Sequence, residues 1–508
     1  MKRNMKVYSP EIMQSAEKYL FDKKGVSPVS LMKEAAHGMY ELIKDRLRPF
    51  DAVCVLCGKG NNAGDGYELA RLMKQAGYNV VCISVFDAPP SAEPAKTCFE
   101  QYISEGGGLE NDPRAAAKII AVSDIIIDAV FGIGFKGKIE PDSTMYKLID
   151  QANCAPRAYR IALDVPSGVR SDDGSVGNIA FVADMTLTVK AVKTGMMSYP
   201  AKFFCGRTEI VSISIPDKLL DEYENPCVIP DDKYVHSVLP KRPEMSNKGD
   251  FGKLLCVCGS GDMTGAAVLS AEAALRAGTG LVTLASERSV IDCVRNYLKE
   301  PVYTPVCWED SQSVHNLISG LSKYSAILVG CGLGKSAQKK QFLEYVIKNA
   351  SARLIIDADG INMLSENINI LKEARKTPII TPHPAEFSRI SGLDVPYIND
   401  NRIRCALEFA AKTKCITVLK GAGTITAAPD GRFAINASGN AGLAKGGSGD
   451  VLAGLISGLA ANPAIGAFEA AVSGVYLHGR AADVLKGKYS EYGFLPSELA
   501  QEFAKMLP

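Results

Sequence analysis

Runs such as AVCVLC (residues 52–57), DIIIDAV (124–130), LLCVC (254–258) and ARLII (352–356) are apolar at almost every position. A strand with one wet face alternates between apolar and polar residues. A strand covered on both faces does not, and that is the mark of a parallel sheet sandwiched between helices. The runs end close to glycines or acids, and stretches with helical spacing lie between them. GYELARLMKQAG (66–77) is one: Leu69, Leu72 and Met73 share a face and Gly77 is placed to cap the C-terminus. The chain is therefore expected to be α/β, built on helix-covered and largely parallel sheets. In open sheets of that kind ligands bind beyond the carboxyl ends of the strands, where this sequence keeps its unusual motifs.

At 508 residues the chain is too long for one core. The alternation continues through NVVCISVF, RIALDV, DMTLTV and EIVSISI, then breaks at IPDKLLDEYENPCVIPDD (215–232), which is rich in proline and acids. A domain boundary is expected there, giving domains 1–222 and 223–508. The second half restarts with KLLCVCGSGDMTGAAVLSAEAALRAGTGLVTLAS, a complete βαβ unit. TITAAPDGRFAINA has the look of a hairpin turned at Pro429-Asp430-Gly431.

Lysine and arginine number 57 against 56 acids, so no basic surplus exists to hold nucleic acid by counterion release. No apolar run reaches the ~18 residues of a membrane span. The start, MKRNMKVYSPEIMQSAEKYL, lacks the apolar core of a secretory signal. The 14 cysteines are scattered, mostly within apolar runs, and the Cys54/Cys57 pair has neither a second pair nor nearby histidines to make a zinc site. They read as small buried hydrophobes in a reducing compartment. The expectation is a cytoplasmic homo-oligomer with small-molecule partners, no nucleic acid and no membrane.

The first strand run opens into GKGNNAGDG (58–66). Gly58, Gly60 and Ala63 satisfy the dinucleotide fingerprint, and Asp87 after the next strand could serve as the ribose acid, so a hydride-transferring Rossmann domain is one reading. The loop also holds Asn61, Asn62 and Asp65, residues that equally suit turns and helix caps. Two further strand ends share that chemistry: IIIDAVFGIGFKG places Asp128 before Gly132, Gly134 and Gly137, and IALDVPSG places Asp164 and Ser167 around Pro166. Amide, carboxylate and hydroxyl oxygens converging from three strand ends suit a hard cation. The glycine-rich turn offers backbone N–H groups to phosphate.

GKGNNAGDG, DAVFGIGFKG and ALDVPSGV together resemble the NAD(P)H-hydrate epimerase domain, over roughly the first two hundred residues. The resemblance implies a Rossmann-like three-layer sandwich. It implies potassium on Asn62, Asp128 and Ser167. It places against the hydrated nicotinamide dinucleotide Asn61, Asn62, Ala63, Gly64 and Asp65, then Gly132, Ile133, Gly134, Phe135, Lys136, Gly137 and Lys138, with Asp164 both in contact and catalytic. Ala63 stands where glycine is common in that family.

In the second half, VGCGLGKS looks like a Walker A loop but has Val329 where the first glycine belongs. Its Gly332 and Gly334 remain a turn that allows close ligand approach. NAGLAKGGSGDVLAGL (440–455) is more informative. Gly446, Gly447, Ser448 and Gly449 precede an apolar helix, so their N–H groups can form an anion hole. Asp450 opens that helix. It reads either as a cap or as a base, and an acid beside bound phosphate suits the removal of a proton from an attacking hydroxyl.

This arrangement resembles the ribokinase-like superfamily, and IIDADGIN, TPHPAEFSRI, VLKGAGT and NAGLAKGGSGDVLAG in that order resemble the ADP- or ATP-dependent NAD(P)H-hydrate dehydratase. The resemblance implies a second three-layer sandwich. It places His383, Pro384, Ala385, Glu386, Phe387, Ser388 and Arg389 against the substrate with Gly332, Gly334 and Asp450, the last as base. It places Lys420, Gly421, Ala422, Gly423 and Thr424 on the nucleotide, with Asn440, Ala441, Gly442, Leu443, Ala444, Lys445, Gly446, Gly447, Ser448 and Gly449. Mg2+ is expected with the nucleotide phosphates. The pair resembles a bifunctional repair enzyme for NADHX and NADPHX that uses ADP or ATP. Two rivals stay open: a vitamin or sugar kinase fused to a Rossmann module, and a non-enzymatic nucleotide sensor.

Overall fold

A computed structural model describes residues 6–86 and 88–508; the ribose-acid candidate Asp87 lies outside the described residues. The chain forms two compact units that divide between Cys227 and Val228.

The first unit holds a seven-stranded, wholly parallel sheet in the order Gly108–Glu110, Asn79–Ser84, Ala52–Cys57, Ile125–Ala129, Tyr159–Leu163, Met185–Val189, Arg207–Val211. The uniform apolarity of its strands has the expected cause. Val53, Val55 and Cys57 pack on one face with Met32, Ala63 and Tyr67, while Cys54 and Leu56 pack on the other with Ile120, Leu148 and Ile149. The strand order reverses between Ala52–Cys57 and Ile125–Ala129, where Leu56 lies opposite Asp128. That switch point opens a crevice at the carboxyl ends.

The first helix of the sheet begins earlier than its apolar spacing suggests. It runs Asn61–Gln75, so Asn61, Asn62 and Asp65 occupy its first turns rather than a loop, and only Gly58–Gly60 bridge strand to helix. Gly77, at φ +89°, lies just past the helix end. The N-terminal helix Pro10–Lys24 is capped by Ser9, whose hydroxyl accepts from the Ile12 N–H. A two-stranded parallel pairing sets Tyr8 beside Lys193 and so ties the segment before that helix to residues 192–193. Asn225 Nδ2 donates to the Val7 carbonyl at 2.8 Å, which ties residues beyond 222 to this unit.

The second unit holds nine whole strands of a ten-stranded sheet. Its parallel strands are Lys253–Val257, Leu281–Ser286, Val302–Pro305, Ala326–Val329, Arg353–Ile356, Ile379–Ile380 and Ile416–Leu419. An antiparallel hairpin, Ile425–Ala427 and Phe433–Ile435, follows at one side, turned at residues 428–432 as its Pro-Asp-Gly signature predicts. The helix Ser448–Ala461 is buried from Val451 to Ala461 rather than amphipathic. Gly454 explains part of that. A Cβ there would lie 2.1 Å from the Ser270 carbonyl, so the helix crosses Thr264–Arg276 nearly backbone to backbone.

Candidate functional site

In the first unit three neighbouring strand ends converge on one backbone segment. Asp128 is fully buried near the end of its strand. Its carboxylate accepts from Ser167 N at 2.7 Å, Ser167 Oγ at 2.6 Å and Val130 N at 3.1 Å. Ser167 Oγ accepts in turn from Phe131 N at 2.9 Å, and Asn62 Nδ2 donates to the Phe131 carbonyl at 2.8 Å. The other half of that amide, Asn62 Oδ1, is buried without a partner among the described residues. Burial pushes the Asp128 carboxyl up to about 6, although Ser167 and Val130 pull against it. An unpartnered buried acceptor and a buried carboxylate, both reaching the Phe131–Ser167 segment, offer the kind of oxygens that a cation takes. The set is all oxygen, so the residues fit a potassium-like ion.

Above this cluster lies a cavity of about 700 Å3, walled by Asn61, Asn62, Asp65, Gly132, Ile133, Gly134, Phe135, Asp164 and Lys193 among others. Asp164 sits at φ +62°, a strained conformation for a non-glycine residue. It accepts from Lys193 Nζ, which also reaches the Val189 carbonyl at 2.9 Å and Thr188 Oγ1 at 3.0 Å. A Cβ on Gly132 would stand 3.3 Å from Asp164 Oδ2 and 3.5 Å from Asn62, so the glycine turn closes over both. Burial, reinforced by Asp164 and Glu17, holds Asp65 well above the usual carboxylate range.

The structure does not bring every expected residue to this cavity. Ala63 and Gly64 face the core: a Cβ on Gly64 would lie 2.5 Å from Met32 Sδ and 2.8 Å from Ala95 Cα. Once the helix starts at Asn61, those two positions turn inward while Asn62 and Asp65 turn to the strand ends. Lys136, Gly137 and Lys138 are exposed and stand outside the cavity wall. Lys193 and Glu17 are both at the wall, and neither is among the residues expected from the sequence. Lys193 carries no sequence signal. Nor does Glu17, a single acid between Met13 and Phe21 on one face of an amphipathic helix.

In the second unit the strands ending at Val329, Ile356, Ile380 and Leu419 are neighbours, and each delivers a side chain just past its end. Lys420 Nζ donates to Asp357 Oδ1 at 2.8 Å and lies 3.8 Å from Glu386 Oε2. Thr381 Oγ1 donates to the same Asp357 oxygen at 2.7 Å. Asp450 stands in the first turn of its helix, behind Gly447 at φ +98°. Among the described residues, ligand atoms of Cys331, Asp357 and Asp450 lie within 4.8 Å of one another. Burial and then the Asp357 charge push Asp450 up to about 6, while Lys420 pulls it down. Ser448 Oγ is buried without a partner among the described residues. Burial lowers His478 to about 4, so its ring is neutral where it meets the Ser448 carbonyl.

Asp357 and Asp359 flank Ala358, which is held at φ +47°, and Asp359 accepts from Gly334 N at 2.8 Å. Neither acid of this DADG motif is among the residues expected at the site, although both follow a strand end as Asp128 and Asp164 do. Other expected residues serve the framework. His383 caps the helix Pro384–Ser391, with Glu386 closing a capping box. Phe387 is fully buried against Phe409, Ser388 bonds the Leu393 carbonyl and Arg389 bonds Asn362. Lys445 Nζ is taken up by the carbonyls of Tyr492 and Phe494, and Asn440 binds Asp483.

Two open α/β units, each with a carboxylate–lysine pair at the carboxyl ends of parallel strands, define a two-domain enzyme of nucleotide chemistry. The comparisons with known proteins agree. The NAD(P)H-hydrate dehydratase family pattern matches residues 254–505, and that of the YjeF-related protein N-terminus matches residues 29–195. The bifunctional NAD(P)H-hydrate repair enzyme of Escherichia coli is 32% identical over 97% of this chain and 92% of its own length. That of Thermofilum pendens is 33% identical over 97% of this chain and 94% of its own. A solved structure of the ADP/ATP-dependent NAD(P)H-hydrate dehydratase from Bacillus subtilis, co-crystallised with ATP/Mg2+, is 31% identical. It covers 55% of this chain and 96% of that one, with a TM-score of 0.48. The chain belongs to the family of bifunctional NAD(P)H-hydrate repair enzymes.

Proposed function

We propose that the chain repairs hydrated nicotinamide nucleotides, each unit performing one of two steps. The first unit interconverts the R and S epimers of NADHX and NADPHX. The second phosphorylates the ring hydroxyl of the S epimer at the expense of ADP or ATP, and loss of phosphate restores the reduced cofactor.

The observation that carries this reading is the placing of Asp450 in the first turn of a glycine-led helix, beside the Lys420–Asp357 pair. The helix start accepts phosphate through its N–H groups and partial positive charge. Asp450 takes the proton of the attacking hydroxyl, and its raised affinity for protons suits a base working near neutrality. Lys420 faces the transferring phosphate with a charge that Asp357 keeps in place. Transfer turns a poor leaving group into a good one. Mg2+ bound with the nucleotide would neutralise part of the charge on its phosphates.

In the first unit Asn62, Asp128 and Ser167 would hold potassium, which would supply fixed positive charge to the site. Asp164, paired with Lys193, is the carboxylate placed against the ring. In the same proposal the enzyme is a cytoplasmic homo-oligomer acting apart from nucleic acid and membrane. Among the described residues no helix is long and apolar enough to cross a membrane.

The test is incubation with each NADHX epimer, Mg2+ and ADP or ATP. Return of the reduced-nicotinamide absorbance with release of free phosphate is expected. A stable phosphorylated product would instead indicate a vitamin or sugar kinase, and binding without turnover a nucleotide sensor. Light scattering checks the oligomer.

A further inference from the structure

The cavity of the first unit has two unlike walls. One is made by strand ends and carries Asp164, Lys193 and Asn62. The other is apolar, formed by Met13 and Phe21 of the N-terminal helix with Leu31, Met32 and Ile213, and Glu17 stands on it. Met13, Glu17 and Phe21 recur every fourth residue, so one helical face is turned into the cavity. Glu17 lies upstream of residue 29, where the family match of this unit begins.

We propose that Glu17 is the proton donor to the departing ring hydroxyl in epimerisation, acting from the helix side of the cavity while Asp164 acts from the strand side. This rests on the reading of the first unit as the epimerase. In the hydrated ring the hydroxyl-bearing carbon adjoins the ring nitrogen. Glu17 gives its proton to that hydroxyl, the C–O bond breaks and water leaves. The nitrogen lone pair forms a C=N+ bond. Water then adds to the other face, forming the new C–O bond, and its proton passes to the Asp164 carboxylate. One proton has moved from Glu17 to Asp164; Asp164 releases a proton to solvent and Glu17 takes one up before the next turnover in the same direction, so no net proton is consumed. No oxidant or reductant is needed.

The electrostatics fit that division. Burial pushes Glu17 up to about 7, with Asp164 adding to the rise and Lys193 opposing it, so near neutrality it gives and takes a proton readily. Glu17 stands on the apolar wall while Asp164 is paired with Lys193 on the strand side, so the two acids sit in unlike surroundings, as two acids with two roles require. Among the described residues the other ionisable groups at the wall are Lys59, Asp65 and Glu93. Asp217 and Asp221, on the helix packed against Pro10–Lys24, are engaged elsewhere, with Lys190 and Lys6.

The experiment is the pH profile of R/S interconversion in the full chain, followed by chromatography of the epimers. The parent enzyme is expected to lose activity above pH ~7 as Glu17 ionises. Glu17→Gln should lower kcat by roughly a hundred- to ten-thousand-fold, leave KM within about threefold and abolish that limb. Glu17→Asp should restore part of the rate with a displaced limb. If Glu17→Gln melts early, the aspartate variant decides alone: an unmoved limb overturns the proposal. So does a glutamine variant with parental kcat, or one that keeps the limb while Asp65→Asn loses it. A parent enzyme that does not interconvert the epimers at all overturns the epimerase reading instead.

Discussion

Asp450 combines a catalytic and a thermodynamic consequence in one side chain. Asp450→Asn keeps size and leaves the helix start intact, so the protein should fold, while dehydration falls by roughly a hundred- to ten-thousand-fold. Nucleotide affinity should hold or improve, because a negative charge near phosphate is gone. Titration of nucleotide binding beside turnover checks this, and near-parental turnover would leave the mechanism without its base. Stability should move the other way. The folded-state carboxyl titrates at about 6 against an ordinary 3.8, so the folded protein binds more protons in between and loses stability as pH rises through that window. The asparagine variant should therefore melt with the parent at pH below 3.8 and several degrees higher above pH 6, on the order of 3 kcal/mol. Asp128 offers a parallel test of the ion. Potassium should raise the melting temperature of the first unit relative to tetramethylammonium, and Asp128→Asn should remove that difference together with epimerisation. An equal response to both salts would mean that Asn62, Asp128 and Ser167 hold no ion.

At the scale of elements, the site of the second unit depends on how closely one helix approaches another. Gly454 packs against the Ser270 carbonyl, and a methyl group there would meet it at 2.1 Å. Gly454→Ala must push the helix Ser448–Ala461 off Thr264–Arg276, which should cost about 1–3 kcal/mol and several degrees of melting temperature. Because Asp450 rides on the displaced helix, dehydration should fall as well, whereas epimerisation should not. Calorimetry and the two assays on one preparation test it, and an unchanged melting temperature would mean that the crossing yields easily. The apolar strands and the glycine-led helix are legible in the amino-acid sequence, because both follow from local pattern. The start of the helix Asn61–Gln75 is not. Apolar spacing begins at its second turn, and the first turn is polar because it faces the site. Glu17 is hidden for the opposite reason, as one acid on an otherwise ordinary amphipathic helix.

At the scale of the whole molecule, the division between Cys227 and Val228 predicts that pieces 1–227 and 228–508 fold separately, the first epimerising and the second dehydrating the S epimer. A cut at 222/223 should give a less stable first piece, since it removes Asn225 and its bond to the Val7 carbonyl. Circular dichroism melts of both versions separate these outcomes, and failure of either 227/228 piece to fold would mean that the cores are not independent. By itself the sequence pointed to the α/β class, a division into two units, and polar motifs at strand ends, among them those that carry Asn62, Asp128, Ser167, Lys420 and Asp450, whose roles remain proposals. Each of these rests on periodicity or on a short contiguous motif, which a linear text carries. Only the tertiary structure decided which motif residues reach a cavity. It turned Ala63, Gly64 and Phe387 into the core and engaged Lys445 elsewhere. It also brought Glu17 and Lys193 to Asp164 from distant parts of the chain. Charge and burial act through space, so the raised proton affinity of Glu17 exists only once the chain has closed around it.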